Sequence, residues 1–249
     1  MRTLKLTLEY DGTEFVGWQR QRRGRSVQGA VEEACARLTQ VPTRVVAAGR
    51  TDAGVHALGQ VAHLRTTSPL PPDRVRDGLN ALLPRDVTVR AVEEAPERFH
   101  ARYDARYRVY RYAVLRRAAP SALLRRYALH LPEPLDLDRM RAVARVLEGR
   151  HDFRAFAAVG TPRRSTVCTV LHVGLAEDGD LLRLTVAADR FLRHMVRMLV
   201  GTLLRVGRGT LGPDQVQAWL THGEVGAAGP AAPPHGLYLV HVGYDAPTG

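Results

Sequence analysis

The strongest constraint on the fold is an order of predicted elements that occurs twice along the chain. In the first half, apolar and polar residues alternate as in a strand over residues 3–10, and Ser26 begins a helix whose apolar residues recur at helical spacing. Strand patterns follow over residues 43–48 and 60–65, then a helix over 72–82 and a strand over 87–92. The resulting order, β-α-β-β-α-β, is that of a ferredoxin-like unit.

After Phe99 the same order returns. The predicted elements are a strand over residues 106–115, a helix over 136–147, strands over 166–175 and 181–187, a long helix from Arg190 and a last strand over 237–242. A short helix over 214–220 and a loop over 223–234 are additions to this plan. The sequence therefore predicts an α+β fold of two ferredoxin-like halves, residues 1–104 and 105–249.

Composition limits the class of protein. A chain of 249 residues, 45% of them hydrophobic, can bury the core of one large domain or of two ordinary ones. No apolar run approaches the roughly 20 residues of a membrane helix. Cys35 and Cys168 lie in apolar contexts without the CxxC or Cys/His spacing of a zinc site. We therefore expect a reduced, cytoplasmic protein with no metal and no membrane contact, in which both cysteines are core residues.

The charge balance indicates a polyanionic partner. The chain has 36 basic and 25 acidic residues, a net charge of +11 and an isoelectric point near 10.5. Fields of this sign concentrate phosphates, and nucleic acid is the usual partner. Lys5 is the only lysine, so the preference for arginine says less than the net excess of positive charge. Charge alone does not separate an enzyme from a binding module.

Asp52 is the candidate for the chemistry. It lies between Gly49 and Gly54, where the backbone can turn sharply and a substrate can approach the main chain. The guanidinium of nearby Arg50 favours the ionised carboxylate, which is the nucleophilic form. An aspartate in a glycine-flanked loop is also typical of a turn or cap residue, and this short segment alone does not exclude that role.

The strand predicted over residues 106–115 carries cations and aromatic rings on one face. Every second residue belongs to this set: Arg106, Arg108, Tyr110, Tyr112 and Val114. Unpaired RNA bases stack on tyrosine and arginine planes while guanidinium groups bind phosphates. Half-buried core tyrosines would give the same pattern, because tyrosine is a good strand former.

The helix predicted from Arg190 separates apolar from basic residues. A turn of about 100° per residue places Arg190, Arg193 and Arg197 together, opposite the apolar side. Such a stripe is usually the solvated face of a helix. The alternative is that one of these arginines faces a cleft and pairs with a carboxylate.

Several longer motifs occur in a specific order across nearly the whole chain. They are Glu9-Tyr10-Asp11-Gly12-Thr13, Gly17-Trp18-Gln19-Arg20-Gln21, Gly49-Arg50-Thr51-Asp52-Ala53-Gly54-Val55-His56-Ala57, Phe99-His100-Ala101-Arg102, Tyr110-Arg111-Tyr112, Phe191-Leu192-Arg193-His194-Met195-Val196-Arg197 and Gly236-Leu237-Tyr238-Leu239. With these motifs the chain closely resembles the TruA family of tRNA pseudouridine synthases.

The resemblance implies roles for individual residues. Asp52 matches the catalytic aspartate, Tyr110 matches the tyrosine that packs against the target base, and Arg197 matches the arginine that pairs with the aspartate across the cleft between the halves. Arg50 matches an arginine associated with the flipped-out nucleotide. Other arginines complete the expected substrate-binding set: Arg106, Arg108 and Arg193.

The resemblance also implies a substrate and an assembly. The family isomerises uridines on the 3′ side of the anticodon stem-loop, at tRNA positions 38 to 40, as a homodimer with neither cofactor nor metal. Its two ferredoxin-like halves share one large, mainly antiparallel sheet with a central basic cleft. This chain has Asp189 and Arg190 before Phe191, where the family often has small neutral residues, so the electrostatics there are expected to differ.

The chemistry suits a single carboxylate. The reaction breaks the N-glycosidic bond, rotates the base and rejoins it through carbon, so a nucleophile must hold or trigger one partner. Attack at C1′, attack at C6 and help with loss of the 2′ proton all remain open for Asp52. A carbon must also lose a proton late in the reaction, and Tyr110 or Asp52 itself could accept it. Extruding the base costs a few kcal/mol.

Two other classes of function are weighed beside this one. A non-catalytic RNA-binding protein would use the same basic cleft and would not need the Asp52 carboxylate. A phosphoryl-transfer enzyme is suggested by Asp11-Gly12-Thr13, but Glu9 stands where that motif has its nucleophilic aspartate, and no Walker-type loop is present. The ten histidines show no HExxH spacing, which argues against metal-assisted hydrolysis.

Overall fold

A computed structural model describes residues 1–160 and 165–246. Within these residues the strands are β1 (Arg2–Tyr10), β2 (Val46–Ala47), β3 (His56–Thr66), β4 (Val87–Ala95), β5 (Tyr107–Leu115), β6 (Leu129–His130), β7 (Gly149–Asp152), β8 (Val167–Asp178), β9 (Leu181–Ala188) and β10 (Leu237–Gly243). The α-helices are α1 (Val27–Thr39), α2 (Pro72–Leu82), α3 (Leu137–Leu147), α4 (Met195–Gly207) and α5 (Pro213–His222).

The chain forms two compact units. The first contains Met1–Arg106 together with Tyr238–Gly249, and the second contains Tyr107–Leu237. The sequence predicted a division near the same place but assigned all of residues 105–249 to the second half. The structure assigns most of β10 to the first unit because this strand pairs in parallel with β3, with Tyr238 beside His56.

The first unit is a sheet covered by α1 and α2. β1 lies between β3 and β4 and pairs antiparallel with both. Leu4, Leu6 and Leu8 alternate along β1 and are fully buried, as expected for the inner face of a strand. Cys35 of α1 and Leu79 of α2 line the same small cavity as Leu4, so the core of this unit lies between the sheet and the two helices.

The second unit has its own antiparallel strands in the order β5-β9-β8-β7, with β6 in parallel beside β5. The helix α4 is buried on nearly every side, whereas α3 buries one stripe of residues that includes Met140 and Val143. Gly207 at the end of α4 allows close packing, because a Cβ there would lie 2.6 Å from the sulfur of Met140. The predicted mixed α+β class is confirmed.

Local signals fix the starts of several helices. The hydroxyl of Ser26 accepts the amide of Gly29 at 3.2 Å, and the carboxylate of Asp136 accepts that of Arg139 at 3.0 Å. Both are N-caps of the kind that the sequence indicates. Pro72 occupies the first turn of α2, where its missing N–H costs nothing. The predicted starts of α1, α2 and α3 are therefore confirmed to within a residue.

Two strands differ by several residues at their predicted starts, and β4 and β8 extend three residues beyond their predicted ends. The strand expected over residues 43–48 is only Val46–Ala47, because the amide of Val45 donates to the Glu32 carboxylate at 3.1 Å instead of to a neighbouring strand. The strand expected from residue 60 begins at His56. Its first residues find partners on both sides, Tyr10 opposite Ala57 and Tyr238 beside His56.

The long helix predicted from Arg190 is wrong at its start, because α4 begins at Met195. The carboxylate of Asp189 accepts the amide of Thr169 at 2.9 Å and that of Arg190 at 2.7 Å, which ties this segment to β8. His194 then adopts a left-handed conformation with φ of 63°, which is uncommon for any residue but glycine. The basic stripe expected along one helix therefore does not form.

Both cysteines are buried in the core, as predicted. Burial, and then the charge of Glu32, raises the pKa of the Cys35 thiol to about 12, so this thiol stays protonated. Among the residues that the structure describes, no helix combines the length and apolar character needed to cross a membrane.

Candidate active site

Asp52 lies on a tight turn between β2 and β3. Its carbonyl accepts the amide of Val55 at 3.2 Å, and Gly54 closes the turn with φ of 74°. The side chain of Asp52 is half-buried, while that of Arg50 is exposed. A positive φ is readily adopted only by glycine, so Gly54 is what allows this turn. Asp52 thus makes a backbone turn, as the alternative interpretation expected, and the residue is only partly buried.

A second segment, residues 11–18, braces this turn from behind. The amide of Trp18 donates to the Thr51 carbonyl at 3.0 Å, and the amide of Gly54 donates to the Phe15 carbonyl at 3.3 Å. A Cβ on Gly17 would lie 2.7 Å from the Thr51 carbonyl oxygen, and one on Gly12 would lie 2.0 Å from that of Val55. These two glycines are therefore required for backbone to approach backbone around Asp52.

A buried polar network holds the start of the same turn. The hydroxyls of Tyr10 and Thr51 lie 2.8 Å apart, and the side-chain amide of Gln60 donates to the Gly49 carbonyl at 2.9 Å. Tyr10 is 3% exposed, and its burial raises its pKa to about 12 against the opposing hydrogen bonds with Thr51 and Gln60. Tyr10 is therefore a neutral phenol near pH 7. Buried groups of this kind restrict the loop to one conformation, because moving it leaves several of them unsatisfied.

His56 joins the end of the turn to two other segments. Its Nδ1 accepts the amide of Gly12 at 3.0 Å, and its ring stacks on Tyr238 with centroids 4.9 Å apart. Asp11, whose carboxylate lies 3.1 Å from the same Nδ1, accepts both the amide and the hydroxyl of Thr13. Asp11 thus forms a local turn, and its carboxylate is engaged within the protein rather than in a phosphoryl-transfer motif.

In the second unit, the two tyrosines expected on one face of β5, Tyr110 and Tyr112, have different surroundings. Tyr112 is fully buried, and its hydroxyl donates to the Pro233 carbonyl at 2.9 Å. Burial raises the pKa of Tyr112, although the charge of Arg197 opposes this. Tyr110 is 8% exposed and packs edge-on against Phe191, with centroids 5.1 Å apart. Both tyrosines are buried, so the core interpretation of the tyrosine face holds for Tyr112 and Tyr110, and Tyr110 keeps only a small exposed fraction.

The arginines at the start of this strand are separated. Arg108 donates to the Asp189 carbonyl at 2.9 Å and so helps fix the end of β9. Arg106 lies just before β5, is exposed, and donates its amide to the Gly243 carbonyl at 2.9 Å within the first unit. The expected single face of cations and aromatic rings therefore extends from Arg108 along β5, and Arg106 is outside the strand.

The three arginines expected on one helix face occupy three different settings. The Nε of Arg190 donates to the Val167 carbonyl oxygen at 3.1 Å. Arg193 is exposed in the turn before α4. Arg197 is half-buried on α4, and its Nε donates to the Ala232 carbonyl at 2.7 Å. The amide of Ala232 donates back to the Arg197 carbonyl at 2.9 Å, so Arg197 is held from both its side chain and its backbone.

The residues that support the turn were not predicted from the sequence. Tyr10, Gly12 and Gly17 stood out only as parts of motifs, and Gln60 had no expected role beyond its strand. Their function depends on contacts between segments far apart in sequence, which periodicity does not report. A usable signal was present in Gln60, a polar residue within the otherwise apolar strand pattern that follows the glycine loop.

Within the described parts of the chain, residues 1–160 and 165–246, no three His, Cys, Asp or Glu side chains are grouped so that they could hold a metal ion.

The sequence matches the model of one protein family over residues 7–104 and 143–245, and that family is described as tRNA pseudouridine synthase. The chain belongs to this family. Asp52, Arg50 and Arg197 all lie inside the matched segments, whereas Tyr110 lies between them. The residues that brace the Asp52 turn also lie inside.

Individual members of the family are similar over their full length. The chain is 46% identical to tRNA pseudouridine synthase A of Syntrophotalea carbinolica, covering 98% of this chain and 97% of the relative. It is 47% identical to tRNA pseudouridine synthase A of Geobacter sulfurreducens, covering 97% and 99%. Among solved structures, an archaeal box H/ACA sRNP Nop10–Cbf5 complex matches with a TM-score of 0.35 and 17% identity, covering 81% of this chain and 43% of that one.

Proposed function

We propose that this protein converts uridine to pseudouridine on the 3′ side of the anticodon stem-loop of tRNA, at positions 38 to 40, with Asp52 as the catalytic carboxylate. The observation that carries the proposal is the braced turn of Asp52, which lies within a full-length match to the tRNA pseudouridine synthase family. A half-buried carboxylate on a turn that two glycines and a buried network fix in place suits a group that must meet one atom of a substrate.

The reaction balances without a cofactor. The bond between N1 of uracil and C1′ of ribose breaks, and a bond between C5 and C1′ forms. The proton on C5 leaves to solvent, and N1 gains a proton. A carboxylate serves this exchange by holding one of the separated partners or by starting the separation. Each of the three roles considered for Asp52 requires the carboxylate to contact the nucleotide.

Other residues receive supporting roles in the proposal. We assign Tyr110 to packing against the target base and to the late proton transfer, and Arg197 to an ion pair with Asp52. Arg50, exposed beside Asp52, suits contact with the flipped-out nucleotide. The remaining arginines proposed for RNA binding are Arg106, Arg108 and Arg193. The protein is proposed to act on tRNA in the cytoplasm as a homodimer.

The charge of the chain supports a tRNA substrate. An excess of 36 basic over 25 acidic residues favours encounter with a polyanion, and that attraction weakens as salt increases. Phosphate contacts also help offset the cost of extruding a base from its stack, a few kcal/mol. A purely binding function is less consistent with a carboxylate held at the surface of an RNA-binding protein, since it would repel phosphates.

The direct test uses tRNA labelled with tritium at C5 of uridine. Wild-type protein should release tritium in proportion to the pseudouridine formed, and Asp52→Asn should release about 10³-fold less or nothing while binding tRNA with similar affinity. Asp52→Asn keeps the shape of the side chain and removes its nucleophile. Absence of release by the wild type on several tRNAs that it binds would leave RNA binding as the function.

A second label separates the roles of Asp52. With deuterium at C2′ of the target uridine, a primary isotope effect on single-turnover rates indicates that the 2′ proton is removed in the slow step. A rate that is unchanged by deuterium favours attack of Asp52 on C1′ or C6.

A further inference from the structure

Three rings of the first unit contact one another in a row and form a ring stack in which the outer pair is stacked and the inner pair is tilted by 57°. His63, on β3, is 6% exposed, and the ring of His100 lies 4.8 Å from it. The ring of Tyr103 stacks on His100 with centroids 4.2 Å apart and an interplanar angle of 27°. Tyr103 is 75% exposed, so the stack of His63, His100 and Tyr103 runs from the core to the solvent.

The turn that carries His100 and Tyr103 is fixed by its own hydrogen bonds. The Asp104 carboxylate accepts the amide of His100 at 2.8 Å, and Nδ1 of His100 accepts the amides of Arg102 and Tyr103, each at 3.2 Å. The amide of Ala101 donates to Nδ1 of His63 at 3.1 Å. The ring of Tyr103 is therefore presented by a rigid support, and a ligand that stacks on it would not have to order it first.

Positive charge surrounds the exposed end of the stack. The guanidinium carbon of Arg102 lies 5.8 Å from the centre of the Tyr103 ring. Arg98 lies just before the turn, and Arg65 is two residues from His63 on β3. Burial lowers the pKa of the His63 imidazole, and the charges of His100 and Arg65 lower it further. Both arginines are exposed. The carboxylate of Asp104, in the same turn, accepts the backbone amide of His100.

We propose that Tyr103 is a stacking site for an unpaired nucleobase of tRNA, separate from the site of the target uridine, with neighbouring phosphates contacted by Arg102 and Arg98. The proposal rests on the proposed function only in taking tRNA as the ligand. A flat aromatic ring that is exposed, supported by a second ring and flanked by cations is the arrangement on which unpaired bases stack. An apolar protein partner would not need the cations, so nucleic acid is the better occupant.

The first test measures tRNA affinity for two substitutions at one position. Tyr103→Leu keeps apolar surface and removes the ring, and it should raise Kd about 5- to 30-fold, which is the lower part of the range for the loss of one stacked base. Tyr103→Phe keeps the ring and should bind within about twofold of wild type. Tyr127→Leu, a partly exposed tyrosine in the second unit, is the matched control and should leave Kd unchanged.

Catalysis provides an independent measurement. At saturating enzyme, the single-turnover rate of Tyr103→Leu should equal that of the wild type, because the base that stacks there is not the one that reacts. If the wild type binds tRNA in a Tyr103-dependent way but forms no pseudouridine, the proposed function fails and the stacking site stands. If the wild type is active and Tyr103→Leu binds tRNA as tightly as the wild type does, the stacking site is wrong.

A second experiment locates the contact. Ultraviolet irradiation of the complex, followed by nuclease digestion and mass spectrometry, should find a nucleotide attached to the peptide that contains Tyr103. Sedimentation of wild type and Tyr103→Leu without RNA tests the other occupant. A Tyr103→Leu variant that dissociates into monomers, with no nucleotide attached to this peptide in the wild type, would identify a protein interface and overturn the proposal.

Discussion

The turn around Asp52 and the segment of residues 189–197 differ in how they place their functional groups. The Asp52 turn is surrounded by backbone contacts from Gly12 and Gly17 and by the network of Tyr10, Thr51 and Gln60. In residues 189–197 the functional side chains are positioned by their own hydrogen bonds. Asp189 and Arg190 bond to the backbone of β8, and Arg197 donates to the Ala232 carbonyl.

The two segments should therefore respond differently to amino-acid substitutions. Around Asp52 the conformation is set by buried groups. Substitutions of these groups should therefore affect catalysis indirectly, through the position of the Asp52 carboxylate. In residues 189–197 the same arginine has both a structural bond and a proposed chemical role. Substitutions there must be compared with a matched control that separates loss of structure from loss of chemistry.

The largest effect is expected at Arg197. Arg197→Ala should lower the single-turnover rate about 10²- to 10³-fold with a smaller change in tRNA affinity, because a charge that acts on a reacting carboxylate affects the transition state most. Arg205→Ala is the matched control, since Arg205 also lies on α4 and donates to a carbonyl of the same loop, that of Gly229, at 3.1 Å. Arg205→Ala should cost stability and leave the rate near wild type.

A double substitution tests the proposed ion pair. If Arg197 acts through Asp52, then Arg197→Ala should have little further effect in an Asp52→Asn background, because groups that act as a unit are not additive. If Arg197→Ala instead weakens tRNA binding and leaves the single-turnover rate unchanged, Arg197 is a phosphate contact and the pairing is wrong.

The next effect is expected behind the Asp52 turn. Gly12→Ala places a methyl group 2.0 Å from the Val55 carbonyl oxygen, so the backbone on one side must move. We expect the rate to fall about 10²-fold, the size of effect that a displacement of about 1 Å has on a reacting group. Gly212→Ala is the control, because a Cβ there would meet nothing within 4 Å, and it should leave the rate unchanged. A fully active Gly12→Ala would show that the turn is not the catalytic element.

A smaller effect is expected in the buried network. Thr51→Val leaves the hydroxyl of Tyr10 with a weaker partner, the Gln60 amide at 3.4 Å, and should destabilise the protein by about 1–3 kcal/mol. The rate should fall about tenfold as the turn loosens.

Tyr112→Phe in the second unit removes a comparable buried hydroxyl bond and should cost about 1 kcal/mol in stability. Urea unfolding and single-turnover rates measured on both variants make the comparison. Equal loss of rate in the two would mean that the network has no special link to catalysis.

Helices with local caps were predictable from the sequence, and elements set by distant partners were not. Ser26, Pro72 and Asp136 mark helix starts by chemistry within one turn. The start of α4 depends instead on Asp189 bonding to β8, and the sequence pattern continued the helix through this region. The strand β2 is short because a side chain of α1, Glu32, bonds the residue before it.

The site divides in the same way. Gly49, Asp52 and Gly54 form a local pattern, so a carboxylate on a turn could be inferred from the amino-acid sequence alone. The reasons for Gly12 and Gly17 are contacts with Val55 and Thr51, across more than one element, and no local pattern reports them. The alternation along β5 was equally ambiguous, because it gives no means to tell whether tyrosines that prove to be buried, Tyr110 and Tyr112, also face a substrate.

The smallest effect is the response of the two units to acid. In the first unit, burial lowers the pKa of His63, and the nearby His100 and Arg65 act in the same direction. In the second unit, burial acts to raise the pKa of Asp152, but hydrogen bonds from Arg154 and Thr166 outweigh it and hold this pKa below its ordinary value. Both folded pKa values are depressed, so each group adds stability above its unfolded pKa and loses it as the pH falls through the folded pKa.

The pH windows differ because the ordinary pKa values differ, about 6.5 for histidine and about 3.9 for aspartate. The contribution of His63 should therefore decline from about pH 6.5 downwards, and that of Asp152 only below about pH 4. Asparagine at position 63 keeps an acceptor for the Ala101 amide and does not titrate. In urea unfolding measured from pH 8 to pH 4, His63→Asn should remove the first decline, whereas Asp152→Asn should leave it unchanged. If both variants follow the wild-type curve down to pH 4, His63 is not the group that makes the first unit sensitive to acid.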